Sequence, residues 1–111
     1  MDPIEQRLHQ LRQLGEQYAR AKAATVKIEE GKKSTLAVLM KKYEAKGITT
    51  AVAQEREARA DPEYMKMLES LETAVYESES ARWQLEVAKL GVEVWRTKQA
   101  NDRVERKGYG A

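Results

Sequence analysis

Lysines and arginines are the residues of this 111-residue chain whose type and spacing could do chemistry. Cationic side chains along a helix can bind the phosphates of a nucleic-acid backbone, because such binding needs positive charge but no fixed geometry. We expect candidate phosphate contacts in both halves of the chain. Those in the first half are Lys27, Lys32, Lys33, Lys41 and Lys42, and those near the end are Arg96, Lys98, Arg103 and Arg106.

Charge is unevenly distributed, although the net formal charge is only +2. Residues 17–46 hold eight basic and three acidic side chains, residues 47–80 hold three basic and eight acidic, and residues 81–111 hold seven basic and four acidic. In an antiparallel hairpin the acidic segment lies beside the basic end of the first helix. Part of the pattern is then internal pairing on solvated faces, which is the alternative to a nucleic-acid interface.

The side chains that enzymes use are poorly represented. His9 is the only histidine and cysteine is absent, so the chain has neither a zinc ligand set nor a disulfide. Adjacent carboxylates such as Glu29 and Glu30 diverge on a helix and do not share a site. No phosphate-binding loop or nucleophile elbow occurs. We therefore predict a protein that is not an enzyme and that uses no metal, cofactor or small-molecule substrate.

The aromatic residues suggest contacts of another kind. Trp95 lies on an apolar repeat, which predicts packing. Trp83 lies off that repeat beside Arg82. Trp83 could anchor a protein partner, stack on bases, or pack on the first helix.

The dipeptide Asp-Pro occurs at Asp2-Pro3 and at Asp61-Pro62, and each time it opens a stretch without further proline. Asp is a favoured N-cap and Pro a favoured first helical residue. The sequence therefore predicts two long helices, at about 3–46 and 62–106. Gly47 is a good C-cap signal for the first helix.

The connector covers residues 47–61, where Thr49 or Thr50 can cap a short helix at about 51–59. Residues 107–111 are predicted to form a frayed tail. The predicted fold is all-α, a long antiparallel helical hairpin of two long helices and a short connector helix. We expect it to be a single domain over residues 1–111.

An apolar repeat on the third helix predicts a coiled-coil-like seam over five heptads. The a positions are Tyr64, Leu71, Ser78, Leu85 and Val92, and the d positions are Met67, Ala74, Ala81, Ala88 and Trp95. Two long helices bury little surface, so we expect the chain to self-associate. The predicted protein interface consists of Tyr64, Leu71, Leu85, Val92 and Trp95, with Arg82 and Trp83.

The first helix carries a stripe of its own at helical spacing. Its members are Ile4, Leu8, Leu11, Leu14, Tyr18, Ala21, Thr25, Ile28, Leu36, Leu39 and Tyr43. Gly15 and Gly31 fall within the pattern and favour either close approach of another helix or a bend. No secretory signal or membrane-spanning run is present, which predicts a cytoplasmic protein.

Two stretches carry a resemblance to known families. Residues 51–64, AVAQEREARADPEY, and residues 81–101, ARWQLEVAKLGVEVWRTKQAN, resemble small helical proteins of tailed bacteriophages and prophages. The overall plan also resembles the recombination mediator protein of T-even phages. That family is non-enzymatic, forms rings, binds single-stranded DNA and helps to load a recombinase. The resemblance implies that Lys32-Lys33 and Lys41-Lys42 correspond to its basic helix, and that the chain acts in a host cytoplasm.

These observations favour an accessory protein of DNA recombination or replication. It would self-assemble and bind single-stranded DNA through lysine and arginine, with a recombinase or another protein as partner. The alternative is a protein-binding inhibitor or adaptor, for example an anti-defence protein that docks on a host complex. A structural or assembly factor is the third possibility. Charge segregation favours the first, and the near-neutral total favours the second.

Overall fold

The computed structural model describes residues 2–110, with the side chains of residues 2–108. The fold is an all-helical hairpin of two long helices joined by a short one, as predicted. The helices are α1 (Pro3–Ala45), α2 (Ala51–Ala60) and α3 (Pro62–Gly110).

Each helix begins at the capping residue that the sequence indicates. Asp2 Oδ1 accepts a hydrogen bond from the Glu5 amide at 2.9 Å, and Thr50 Oγ1 accepts one from the Ala53 amide at 3.2 Å. Asp61 Oδ1 accepts one from the Glu63 amide at 2.8 Å, and α3 follows at Pro62. These bonds satisfy amides that have no partner inside a helix, which fixes where each helix starts.

Gly47 ends α1 as predicted. Its φ is 98°, a value that favours glycine over other residues. The Ile48 amide donates to the Tyr43 carbonyl at 3.1 Å and the Gly47 amide donates to the Glu44 carbonyl at 3.0 Å. This pair of bonds is the Schellman motif, and it turns the chain toward α2.

The end of α3 differs from the prediction. The helix continues to Gly110 rather than ending near residue 106, and Ala111 lies outside the described residues. No proline follows that would stop it, and Gly108 has no positive φ. The predicted tail at 107–110 is therefore helical.

Two compact units make up the chain. One unit runs from Ala19 to Ser78 and includes α2, which connects α1 to α3. Its core contains Leu39, Ala58 and Tyr64, all nearly fully buried. Around them pack partly buried residues of α1 and α3, namely Leu36, Met40, Tyr43, Met67 and Leu68.

The second unit joins the start of α1, up to Tyr18, to α3 from Glu79 onward. Ala81 is buried here. Arg7 lies so close to Gly91 that a Cβ on this glycine would be 3.3 Å from Arg7 Nη1. The end of the Arg7 side chain thus packs against α3 at Gly91.

The predicted seam of α3 is confirmed, since all ten of its positions are buried or half-buried. The hairpin accounts for part of this burial, whereas the prediction used Tyr64, Leu71, Leu85, Val92 and Trp95 to join copies. Tyr64 in particular is only 3% exposed and packs on Leu39. Six of the ten seam positions are only half-buried, and self-association stays a prediction.

The stripe of α1 is correct except at its start. Leu8 is 47% exposed, and Arg7 is half-buried instead. The half-buried positions Ile4, Arg7, Leu11 and Leu14 follow steps of three, four and three, so Leu8 falls one position off the face. A charged side chain can occupy such a position by lying along the apolar surface with its charged end in water.

Candidate nucleic-acid interface

The last part of α3 extends past the start of α1. Arg7 lies beside Gly91, and α1 begins only four residues earlier, at Pro3. Because the two helices run antiparallel in this unit, α1 covers α3 to about residue 95. From Arg96 to Gly108 every residue except Gln99 is exposed. This uncovered segment is roughly 20 Å long at 1.5 Å per residue.

A shallow groove follows the uncovered segment, and three arginines line it. Arg96, Arg103 and Arg106 are spaced by seven and three residues, which places them on one side of the helix. The groove is completed by Glu93, Trp95, Thr97, Gln99 and Ala100. Lys98 is exposed but does not line it.

The arginines of this groove are weakly neutralised. Glu93 is the only acidic residue in the lining, and its carboxylate lies 3.7 Å from Arg96 with both side chains 69% exposed. Exposed pairs of this kind contribute little energy. Within the described part of the chain, Arg103 and Arg106 form no ion pair. Their guanidinium groups are therefore open to an anionic ligand.

Trp95 gives the groove a flat aromatic wall. It is the last seam position and is half-buried, so part of the ring packs and part lines the groove. Trp95 and Arg96 are adjacent there. Aromatic rings and guanidinium planes are the two kinds of surface on which unpaired bases stack. Packing, the predicted role of Trp95, thus involves only part of its side chain, and the rest lines the groove.

The predicted lysines of α1 do not form one surface. Lys32 is half-buried on the inner face of α1. Lys33 lies in a groove with Glu29 and Glu30. Lys27 borders a separate apolar groove, and Lys41 is exposed.

Lys42 is held by an acidic residue that the sequence analysis did not single out as a partner. Its Nζ donates to Asp61 Oδ2 at 3.0 Å, and the Tyr43 hydroxyl donates to the same oxygen at 2.6 Å. Asp61 is only 2% exposed. This cluster ties the end of α1 to the start of α3 and offsets part of the Lys42 charge, and its predicted phosphate contact stays a prediction.

The cluster also changes the acidity of its members. The Tyr43 hydroxyl, the Glu63 amide and Lys42 all donate to the Asp61 carboxylate, which lowers its pKa from 3.8 to about 2. The hydrogen bond to Asp61 in turn raises the pKa of Tyr43, with burial as a further cause. An Asp before a Pro predicted the cap, but its contacts with α1 depend on tertiary packing.

Arg82 and Trp83 lie away from the groove. Trp83 is 65% exposed, which excludes the alternative that it packs on α1. Arg82 lies over its ring at 6.0 Å and also pairs with Glu79 at 2.7 Å. These two residues remain candidates for a protein contact.

Metal-binding groupings are not found among the described residues. His9 is exposed, and no group of three metal-ligating side chains occurs within residues 2–108. In the described part of the chain, every helix is too short or too polar to cross a membrane. No protein-family model, curated protein or solved structure matches the chain. The resemblances to phage proteins therefore stay predictions.

Proposed function

We propose that the protein is a non-enzymatic accessory factor of DNA recombination or replication that holds single-stranded DNA along the end of α3. The observation that carries the proposal is the groove of Arg96, Arg103 and Arg106 beside Trp95, on a helical segment with no neighbouring helix. The arginines would bind successive phosphates, and Trp95 would stack on a base. The loading of a recombinase is the part of this proposal that rests on resemblance alone.

Single strands fit this groove better than duplex. The lining combines positive charge with an exposed part of an aromatic ring, and a base can reach that ring only when it is not paired. The groove is also open and shallow, without a pocket that would select one base. We therefore expect weak sequence preference and strong dependence on salt.

The test compares two sets of three charge removals. One variant replaces Arg96, Arg103 and Arg106 with Gln, and the control replaces Lys27, Lys33 and Lys41 with Gln. Both lose the same formal charge, and Gln keeps helix propensity close to that of Lys and Arg. Fluorescence anisotropy with a labelled oligothymidine at several salt concentrations gives affinity and salt slope for each.

We expect the arginine variant to bind at least about tenfold more weakly and to lose about two units of log–log salt slope, at about 0.7 per phosphate contact. The lysine control should keep most of its affinity and most of its salt slope. Equal losses in the two variants would mean that net charge, and not the groove, governs binding. If the wild type does not bind at about 50 mM salt, the rival function as a protein-binding inhibitor or adaptor takes the lead.

A further inference from the structure

The outer face of α3 carries a second apolar repeat, which the hairpin leaves uncovered. Its residues are Trp83, Val87, Leu90 and Val94, spaced by four, three and four positions, and each is more than half exposed. The inner seam uses other positions of the same segment, such as Leu85 and Val92, that lie on the opposite side of the helix. We name Trp83, Val87, Leu90 and Val94 the outer stripe.

We propose that the outer stripe joins two copies of the chain as a parallel, in-register, two-stranded coiled coil. In heptad terms Val87 and Val94 are a positions, and Trp83 and Leu90 are d positions. A β-branched residue at a with Leu at d favours two parallel strands. The next a position is Asn101, a residue that fixes register and a two-stranded state when it stands alone at an a position.

The charges along the edges of the outer stripe support a parallel pair. One edge, the g positions, holds Glu79, Glu86 and Glu93, and the other edge, the e positions, holds Gln84, Gly91 and Lys98. In a parallel pair each g position meets the e position of the next heptad on the partner helix. Glu93 of one copy then meets Lys98 of the other, and no two like charges meet.

An antiparallel pair is disfavoured by the same charges. The best antiparallel match of the apolar residues sets Trp83 against Val94 and Val87 against Leu90. It brings the two acidic edges together and places Glu86 near Glu93 of the other copy. Such repulsion has no counterpart in the parallel arrangement, which is why we choose the latter.

Parallel pairing leaves the three arginines of the proposed DNA groove free, while Glu93 and Thr97 of its lining lie along the pair. Arg96, Arg103 and Arg106 are not members of the outer stripe and point away from it by their helical positions. Two copies in register would bring their arginine segments to the same end of the dimer. The dimer does not depend on DNA binding, and either proposal can fail without the other.

Light scattering on the full chain at micromolar concentration is the first test. We expect the wild type to have the mass of a dimer. Leu90→Glu should raise the dissociation constant by more than about a hundredfold, because it places a charge in a closed apolar layer. Val38→Glu is the matched control, since Val38 on α1 is 64% exposed, as is Leu90. Circular dichroism should show unchanged helix content in both variants.

Crosslinking tests the direction of the pair, and the chain has no cysteine to interfere. Thr97 is the d position after Leu90, so Thr97→Cys should form a disulfide-linked dimer by itself in a parallel, in-register pair. Lys89→Cys, which is exposed but off the outer stripe, is the control and should not crosslink. A mixture of Ser80→Cys and Thr97→Cys chains that crosslinks only between the two variants would mean antiparallel pairing and would overturn the proposal.

The edge charges allow a rescue experiment. Lys98→Glu should weaken the dimer, because it sets a carboxylate against Glu93 of the other copy, and adding Glu93→Lys should restore it. Failure of the double variant to restore dimerisation would contradict the parallel register. A monomeric wild type, a trimer or larger assembly, or an unchanged mass for Leu90→Glu would each overturn the proposal, and a protein partner of another kind would then be sought for Trp83.

Discussion

The two basic segments of the sequence, residues 17–46 and 81–111, have different surroundings in the fold. At the hairpin return, Lys42 is bound to the buried carboxylate of Asp61 and lies beside a core of Leu39, Ala58 and Tyr64. At the end of α3, Arg103 and Arg106 lie on an uncovered helix without an acidic partner in the described residues. The comparison separates cations that serve the fold from cations that are available to a ligand.

The difference follows from what surrounds each segment. Three helices meet at the return, so a buried acid there needs compensating donors, which Tyr43, Lys42 and the Glu63 amide supply. No other described helix of the same chain lies beside the arginine segment, and water solvates its charges. Similar runs of basic residues in a sequence can therefore have different functions, and packing decides which.

The largest expected contrast is in stability. Leu39→Ala should destabilise the fold by about 2–5 kcal/mol, because Leu39 is almost fully buried. Arg103→Ala, on the uncovered segment, should change stability by less than about 0.5 kcal/mol. Urea unfolding followed by circular dichroism measures both. A comparable loss for Arg103→Ala would show that the arginine segment is part of the folded core.

The pH dependence of stability should come from the hairpin return and not from the arginine segment. The pKa of Asp61 is lowered from 3.8 to about 2 in the fold. Its carboxylate therefore stabilises the folded state above about pH 4 and loses this effect as the pH falls toward 2. Asp61→Asn should be less stable than the wild type near neutral pH, and the gap should close by about pH 2.

Thermal melts of the wild type and Asp61→Asn at a series of pH values give this gap directly. Glu72→Gln, on an exposed position of α3, is the control and should track the wild type throughout. A gap between wild type and Asp61→Asn that stays constant from neutral pH to pH 2 would contradict the assignment of the stabilisation to the Asp61 carboxylate.

Local signals in the sequence account for most of the fold. Asp before Pro marked two helix starts, Gly47 marked the end of α1, and the heptads of α3 marked its buried face. Leu8 was predicted on the buried face because it lies four residues after Ile4, but the Arg7 side chain occupies that face. The pairing of Lys42 with Asp61 was missed because it joins residues 19 positions apart.

The sequence predicted the charge of the candidate site but not its exposure. The arginines of α3 were recognised by charge, but their availability depends on where α1 stops covering α3, and no local pattern encodes that offset. Likewise Lys32 and Lys33 are neighbours in sequence, yet one is half-buried and the other lies beside Glu29 and Glu30. A helix turns by about 100° per residue, so adjacency in sequence does not mean a shared surface.

Trp95 lies where the covered and uncovered parts of α3 meet. Its substitution should therefore lower both the stability of the fold and the affinity for single-stranded DNA. Because it is half-buried, Trp95→Ala should cost roughly half of the 3–5 kcal/mol typical of a fully buried ring. The same change should weaken single-strand binding by at least about fivefold, from loss of stacking.

Trp95→Leu separates packing from stacking at this residue. It keeps an apolar side chain and should lose less stability than Trp95→Ala, while losing as much affinity for oligothymidine as Trp95→Ala. Full retention of binding by Trp95→Leu would remove base stacking from the proposed function and leave only the phosphate contacts.

The smallest expected effects come from two glycines, one in each unit. Nothing lies within 4 Å of a Cβ placed on Gly31, whereas a Cβ on Gly91 would be 3.3 Å from Arg7 Nη1. Gly31→Ala should therefore stabilise the protein by up to about 1 kcal/mol through helix propensity. Gly91→Ala should gain less, about half as much or nothing, because the end of Arg7 has to move aside. Urea unfolding under one set of conditions compares them, and equal gains would show that Arg7 does not pack against α3 at Gly91.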